Sequence, residues 1–402
     1  MNEKDKALEY HSKGRAGKIE VMPTKGYKTQ EDLALAYTPG VAYPCLEIEK
    51  DNSKAYEYTN KGNLVAIISN GTAVLGLGNI GPLAGKPVME GKSLLFKTLA
   101  GVDAFDIEIA ETDPMKFVEV VRAISPTFGA VNLEDIKSPE CFIIERELKK
   151  ILDIPVMHDD QHGTAIVVLA AMINALEVVD KKIEEVKVVV NGAGAAAIAV
   201  TKLLFTMGMT RENIVMVDSR GVIRKDRVGL DEYKSLFATY RDIHTLKEAM
   251  VGADAFIGLS KPNVITAQEV DTMGEYPIIF ALANPDPEIT PEEMAKSGKK
   301  VVYATGRSDY PNQVNNALAF PYLFHGALSV RATEINDEMK LAASKAIASL
   351  AHEKVTREVL ESYNLENVSF GAGYLLPMVL DKRLKDVVSS AVARAAIETG
   401  VS

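Results

Sequence analysis

There is no tryptophan in the 402 residues, and cysteine occurs only at Cys45 and Cys141. The first absence excludes nothing. The second excludes a disulfide framework and an all-protein zinc site, fits a reducing cytoplasm, and leaves both thiols expected as small buried hydrophobes. Cations are short as well: 45 Lys and Arg stand against 55 Asp and Glu, a net charge of −10. That balance argues against a nucleic-acid binder, whose affinity comes from cations that displace counterions from phosphates. It also means that an anionic substrate must be gathered by local cations or a metal rather than by the field of the whole chain. Long apolar runs are missing too. The longest, Thr164–Val179, falls short of the roughly 20 residues of a membrane span, contains Asn174 and reads as a buried helix. The charged amino terminus lacks the apolar centre of a signal peptide, so no secretion is expected.

What is present is an ordinary globular composition, 47% apolar and 25% charged, which argues against disorder. The length predicts two or three domains. A polar first stretch containing Gly14, Gly17, Pro23 and Gly26 gives way near Leu64 to β-branched runs that alternate with amphipathic ones. Strands are predicted at Leu64–Ile68, Ala73–Leu77, Asp103–Ile109, Phe128–Leu133 and Ile154–Met157. Phe117, Val120, Val121 and Ile124 share one helix face, and Ser138-Pro139 opens a further helix with a usable cap. A second series runs through Val186–Asn191, Asn213–Asp218, Asp254–Gly258, Pro277–Ala283 and Lys300–Ala304. Tail helices at Asn336–His352 and Val387–Glu398 are expected to fold back across the first domain. Alternation of this kind predicts an α/β chain of two domains, residues 1–160 and 161–402.

In the second domain, Val188-Val-Val-Asn-Gly192-Ala193-Gly194-Ala195-Ala196-Ala197 is an apolar strand, a glycine turn and the start of a helix. Gly192 permits the tight turn, Gly194 lets a pyrophosphate approach the backbone, and Ala197 is small enough for close packing of helix on strand. Free N–H groups at the helix start suit the phosphates. Asp218, at the end of the next strand, stands where a carboxylate meets the adenosine ribose. A Rossmann-like unit for NAD or NADP is therefore expected. Asp218 argues for NAD, whereas Arg220, Arg224 and Lys225 argue for NADP. Ser260, after the Asp254–Gly258 strand, is a further candidate contact of the cofactor.

Two acidic pairs end neighbouring predicted strands: Asn132-Leu-Glu134-Asp135 and His158-Asp159-Asp160-Gln-His162-Gly163-Thr164. Adjacent like charges are costly unless a cation or solvent absorbs them, and a cluster of hard oxygens suits Mg²⁺ or Mn²⁺. His158 and His162 are expected to support that cluster by hydrogen bonding.

With these segments, the chain resembles the malic enzyme family in its short microbial form. The likeness is carried by Leu35-Ala-Tyr37-Thr-Pro39-Gly-Val-Ala42, Thr72-Ala-Val-Leu-Gly-Leu-Gly78-Asn, Pro87-Val-Met-Glu-Gly-Lys92, the two acidic segments, Ala281-Leu-Ala-Asn284-Pro285 and Asn315-Asn316. It implies an N-terminal α/β malic-enzyme domain followed by the Rossmann-like one. It also implies oxidative decarboxylation of (S)-malate to pyruvate and CO₂ with NAD or NADP and a divalent metal, in a homodimer or larger assembly. The same likeness makes Glu134, Asp135 and Asp160 metal ligands, Lys92 the general base, Tyr37 the general acid and Asp159 the carboxylate beside the lysine. Asn284 and Asn315 become substrate contacts, with Asn284 also near the cofactor. Ala73 departs from the pattern, because larger members carry Arg there, and Thr72 or backbone amides are expected to take over its part in holding the substrate carboxylate.

Chemically, the C2 hydroxyl must lose a proton to a base while hydride leaves. Lys92 is read as opening a helical run Lys92–Leu99, whose N-terminus would lower its pKa, whereas Asp159 would hold its ammonium form. Two rivals remain: a lyase that decarboxylates oxaloacetate without oxidising malate, and a non-catalytic NAD(P) sensor.

Overall fold

The computed structural model describes residues 2–74 and 76–402. Two parallel sheets are built in succession along the chain. The first contains β1 (Leu64–Ser69), β2 (Asp103–Glu108), β3 (Ala130–Leu133) and β4 (Val156–His158), in the order β2-β1-β3-β4. Every residue of β1 is buried, as its uninterrupted apolar sequence requires of a central parallel strand. Leu133 and His158 are register partners, so the acidic pairs that follow them leave the same sheet edge side by side.

The second sheet contains β5 (Val188–Asn191), β6 (Ile214–Asp218), β7 (Gly221–Val222), β8 (Ala255–Gly258), β9 (Ile278–Ala281) and β10 (Val302–Thr305). Its order, β10-β9-β8-β5-β6-β7, reverses between β5 and β8, and the crevice at such a reversal is where doubly wound sheets take ligands. All its pairs are parallel except β6–β7, a short hairpin absent from the sequence-based expectation. The largest of three apolar clusters runs through both halves, from Leu64 and Phe96 to Ile278 and Phe324.

Several predicted elements differ. Ala73–Leu77 forms no strand: a Val74–Gly78 bridge closes a turn there, with Leu75 outside the described residues. Gly76 and Gly78, both at positive φ, make that turn possible. The stretch before Leu64 is not irregular but carries the helices Glu3–Ser12, Gln30–Ala36 and Ala42–Lys50, none of which buries a residue. The third of these leaves Cys45 exposed, so only Cys141 is the buried thiol expected, with burial raising its pKa to about 12. Ser138 caps nothing; the helix Glu140–Ile151 follows Pro139 with no side-chain cap.

The central apolar helix starts earlier than expected, at Asp159, and reaches Val179. Its 21 residues are long and apolar enough to cross a membrane, yet it lies mostly buried in the protein core. Ser344 Oγ donates to its Ile166 carbonyl (2.9 Å), and its Asn174 amide donates to the carbonyls of Ala348 and Leu375. The tail helices Asp337–Leu350 and Arg383–Glu398 pack on each other. Contact with the first half comes through the Phe320–Ser329 helix, whose Phe320 and Phe324 rings meet Phe96 edge-on at 4.9 and 5.5 Å.

Candidate active site

Lys92 sits inside a helical run rather than at its start: Pro82 opens the helix Pro82–Leu95, and a π-helical turn, Phe96–Ala100, continues it without a break. The side chain is 10% exposed, pairs with Asp159, lies 3.0 Å from Glu134 and points over the Phe320 ring at 4.1 Å. Burial alone would lower the lysine pKa, but Asp159, Glu134 and Asp160 outweigh it and raise the value above the ordinary one. Of the two opposed influences expected on Lys92, the one that holds its ammonium form prevails.

Asp159 is fully buried, and besides Lys92 its Oδ2 accepts from Asn316 Nδ2 (2.7 Å). A Cβ on Gly163, one turn along the same helix, would lie 1.9 Å from Asp159 Oδ1, so glycine is what leaves room for this carboxylate.

Glu134, Asp135 and Asp160 each offer an oxygen, all within 4.8 Å of one another. Asp135 adopts φ 53°, a left-handed conformation in which its amide donates to Asp160 Oδ2 (2.8 Å). Its own Oδ2 is buried without a hydrogen-bond partner among the described residues. Burial first, and then the neighbouring carboxylates, push Asp135 up to about 9 and hold Glu134 above the usual range. Three crowded hard oxygens, one of them orphaned, fit a divalent cation such as Mg²⁺ or Mn²⁺. His162 bonds Glu145 at 3.1 Å rather than any of the three carboxylates, and both ring nitrogens of buried His158 find no hydrogen-bond partner among the described residues.

At the β5–β8 crevice, Gly192 has φ 129° and an added Cβ would lie 2.4 Å from the Leu259 carbonyl oxygen. Gly194, by contrast, faces open space and precedes the twelve-residue helix Ala195–Thr206. A narrow turn, an open backbone and free amides at Ala195 and Ala196 fit a pyrophosphate.

Two family models match the chain: "Malic enzyme, N-terminal domain" over residues 16–116 and "Malic enzyme, NAD binding domain" over residues 161–370. The NADP-dependent malic enzyme of Halomonas elongata is 53% identical over 396 residues, covering 98% of this chain and 94% of that protein. The chain belongs to the malic enzyme family.

The NADP-dependent malic enzyme of Escherichia coli K12 is 56% identical over 401 residues, covering 99% of this chain and 53% of that protein. The chain thus spans about half the length of several relatives that it matches. The crystal structure of the malic enzyme from Pyrococcus horikoshii shares 47% identity at a TM-score of 0.91, covering 99% of this chain and 92% of that one.

In this malic enzyme family member none of the remaining candidates bonds Lys92 among the described residues. Tyr37 ends the Gln30–Ala36 helix and is 70% exposed. Thr72 is buried, donating to Asn70 Oδ1 (2.6 Å) and accepting from the Lys137 amide (3.0 Å). Exposed Ala73 donates its amide to the Asp135 carbonyl. Asn315 Oδ1 caps the following helical turn at Ala317. Asn284 is exposed and sits over Gly306, where a Cβ would come within 2.8 Å of its Nδ2. Ser260 is tied to Asn191 (2.7 Å) and to buried Glu288 (2.9 Å), which also accepts from the Ala283 amide and so joins the ends of β8 and β9.

Glu145, Asn316, Glu288, Arg227 and Phe320 escaped sequence reasoning. Asn316 alone carried a usable signal, as the second half of the Asn315-Asn316 pair.

Proposed function

We propose that the chain catalyses the oxidative decarboxylation of (S)-malate to pyruvate and CO₂ with reduction of NAD⁺ or NADP⁺. The observation that carries this reading is a buried lysine fixed by two carboxylates beside three oxygens suited to a cation. When bound, a divalent cation would screen those carboxylates and supply a Lewis acid for the oxygen that gains charge as CO₂ departs. The nicotinamide supplies the hydride acceptor.

Lys92 Nζ, once it is the free amine, takes the C2 hydroxyl proton, and Asp159, held by Asn316, keeps that nitrogen in place. Phe320 closes one side of the lysine against water. Loss of CO₂ leaves an enolate, and Tyr37 donates the proton that C3 needs to give pyruvate. Glu134, Asp135 and Asp160 hold the cation. Asn284, Asn315 and Thr72 belong to the walls for the substrate, and Gly192, Ala193, Gly194, Ala195, Ala196, Asp218, Arg220 and Ser260 to those for the dinucleotide. The division at residue 160 then separates a metal and substrate domain from a dinucleotide domain, in an enzyme of the cytoplasm.

NADPH and NADH formation from malate, followed with EDTA, Mg²⁺ and Mn²⁺ in parallel, tests the reading. Product is expected with either metal and none with EDTA. Pyruvate from oxaloacetate without any reduced cofactor from malate would point instead to the lyase, and dinucleotide binding without metal-dependent turnover to the sensor.

The working unit we infer is a homodimer or larger. Leu33, Leu35, Tyr37, Tyr43 and Leu46 are each at least half exposed on helices that bury nothing, an apolar arm suited to a second copy of the chain. Tyr37 then serves the partner's Lys92. Light scattering should give at least twice 43.6 kDa. Mixing inactive Tyr37→Phe and Lys92→Ala subunits should restore about a quarter of the activity, since half the dimers are mixed and each holds one intact site. No recovery, with exchange verified, would return Tyr37 to its own subunit.

A further inference from the structure

The adenosine end of the crevice is charged for a phosphate. β6 ends at Asp218, which pairs with Gly221 so that Ser219 and Arg220 form the tip of the β6–β7 hairpin. A carboxylate at this strand end ordinarily accepts the ribose hydroxyls of NAD. Here both oxygens are already engaged: Oδ1 accepts from the Arg220 amide (2.9 Å) and Oδ2 from the Arg227 guanidinium, with Lys234 Nζ a further 3.7 Å away. The Asp218 and Arg227 side chains are only 8% and 15% exposed, and Arg227 also donates to the carbonyls of Gly221 and Val222.

The other cations expected to favour NADP divide sharply. Arg224 is held by Asp226 (2.8 Å) and Asp242 (2.6 Å), and Lys225 donates to the Ser235 carbonyl (3.1 Å). Arg220 alone of the three is exposed at the hairpin tip with no side-chain partner among the described residues. Asp218 is neutralised by Arg227, and Lys234 is shared between Asp218 and Asp231 (3.8 Å), so the Arg220 guanidinium is the cation left over at this end of the crevice, in a chain whose net charge is −10.

We propose that the chain selects NADP⁺ over NAD⁺, with Arg220 as the partner of the 2′-phosphate. Arg227 acts as a positioning residue that occupies Asp218 and removes the repulsion this carboxylate would exert on that phosphate. The inference rests on reading the β5–β8 crevice as the dinucleotide site. Each Asp218 oxygen keeps a lone pair, so NAD⁺ is weakened rather than shut out.

Calorimetry without malate or metal separates this assignment from the proposed reaction. NADP⁺ should bind about tenfold or more tightly than NAD⁺, and adenosine 2′,5′-bisphosphate should exceed AMP by a similar factor, as expected for one charge-assisted contact. Arg220→Ala should remove most of that ratio by weakening the 2′-phosphorylated ligands, with a much smaller loss for NAD⁺. Arg227→Leu should move the two dinucleotides in opposite directions, NADP⁺ weaker and NAD⁺ tighter, whereas a merely structural role would weaken both. If Arg227→Leu does not fold, Arg220→Ala and the wild-type ratio still decide. Equal wild-type affinities, or an equal loss of both ligands in Arg220→Ala, would overturn the assignment. A preserved NADP⁺ preference without malate turnover would count against the reaction alone, and no binding of either dinucleotide against the crevice itself.

Discussion

Lys92→Ala is expected to lower malate oxidation by about 10²- to 10⁴-fold, the range associated with a positioned general base, while NADP⁺ and NAD⁺ bind as before. Lys92 touches the carboxylates at the end of the first sheet, and the crevice for the dinucleotide opens at the end of the second. The variant should also lose stability. Asp159 is fully buried, and deleting its cation leaves an uncompensated charge that typically costs about 3–5 kcal/mol. A second change separates the two effects. Asp159→Asn added to Lys92→Ala removes the orphaned charge and should recover much of the stability without any turnover. Thermal unfolding and initial rates read the two quantities independently. Near-normal turnover by Lys92→Ala would remove the lysine from the mechanism.

Asp135→Asn is expected to weaken Mg²⁺ and Mn²⁺ binding by at least about 100-fold, beyond the 10- to 100-fold typical of residues that only support a ligand. Its pH dependence is the sharper signature. In the metal-free protein, burial and the adjacent carboxylates hold the Asp135 proton up to about 9, so at neutral pH a cation must displace it. Affinity should therefore rise with pH, by at most about tenfold per unit for one displaced proton, and level off above pH 9. The amide has no such proton, so the residual affinity of Asp135→Asn should lose that slope. Calorimetry in buffers of different ionisation enthalpy counts the protons released. A flat profile in the wild type would mean that Asp135 is ionised before the metal arrives.

Legibility in the sequence followed the range of the interactions. The strand, glycine turn and helix around Gly192 are local, and the residues that recognise a phosphate are the residues that make the turn. Both acidic pairs were visible as types, and the parallel pairing of β3 with β4 explains why adjacent strand ends brought them together. The helix starts were misread for opposite reasons. Asp159 and Asp160 look like loop residues, but carboxylates are favoured in a first helical turn, and the apparent breaker Gly163 is there to clear Asp159. Pro87 and Gly91 obscured the Pro82–Leu95 helix and so hid that Lys92 lies inside a helical run rather than at its start. What remained invisible depends on partners far along the chain: Asn316 lies 157 residues from Asp159, and nothing near Arg227 announces that it will neutralise Asp218.

The Asp159–Val179 helix carries a consequence for synthesis on the ribosome. Its polar anchors at Ser344, Ala348 and Leu375 lie 178, 174 and 201 residues from their partners on the helix. The Ala195–Thr206 helix covers part of this apolar rod soon after it is made, but at about 5–20 residues per second roughly ten to forty seconds separate the rod from its polar anchors. During that interval the nascent chain presents a greasy flank with the length of a membrane span, next to residues of an unfinished catalytic centre. Chaperone capture and aggregation compete for that flank until the last third of the chain arrives.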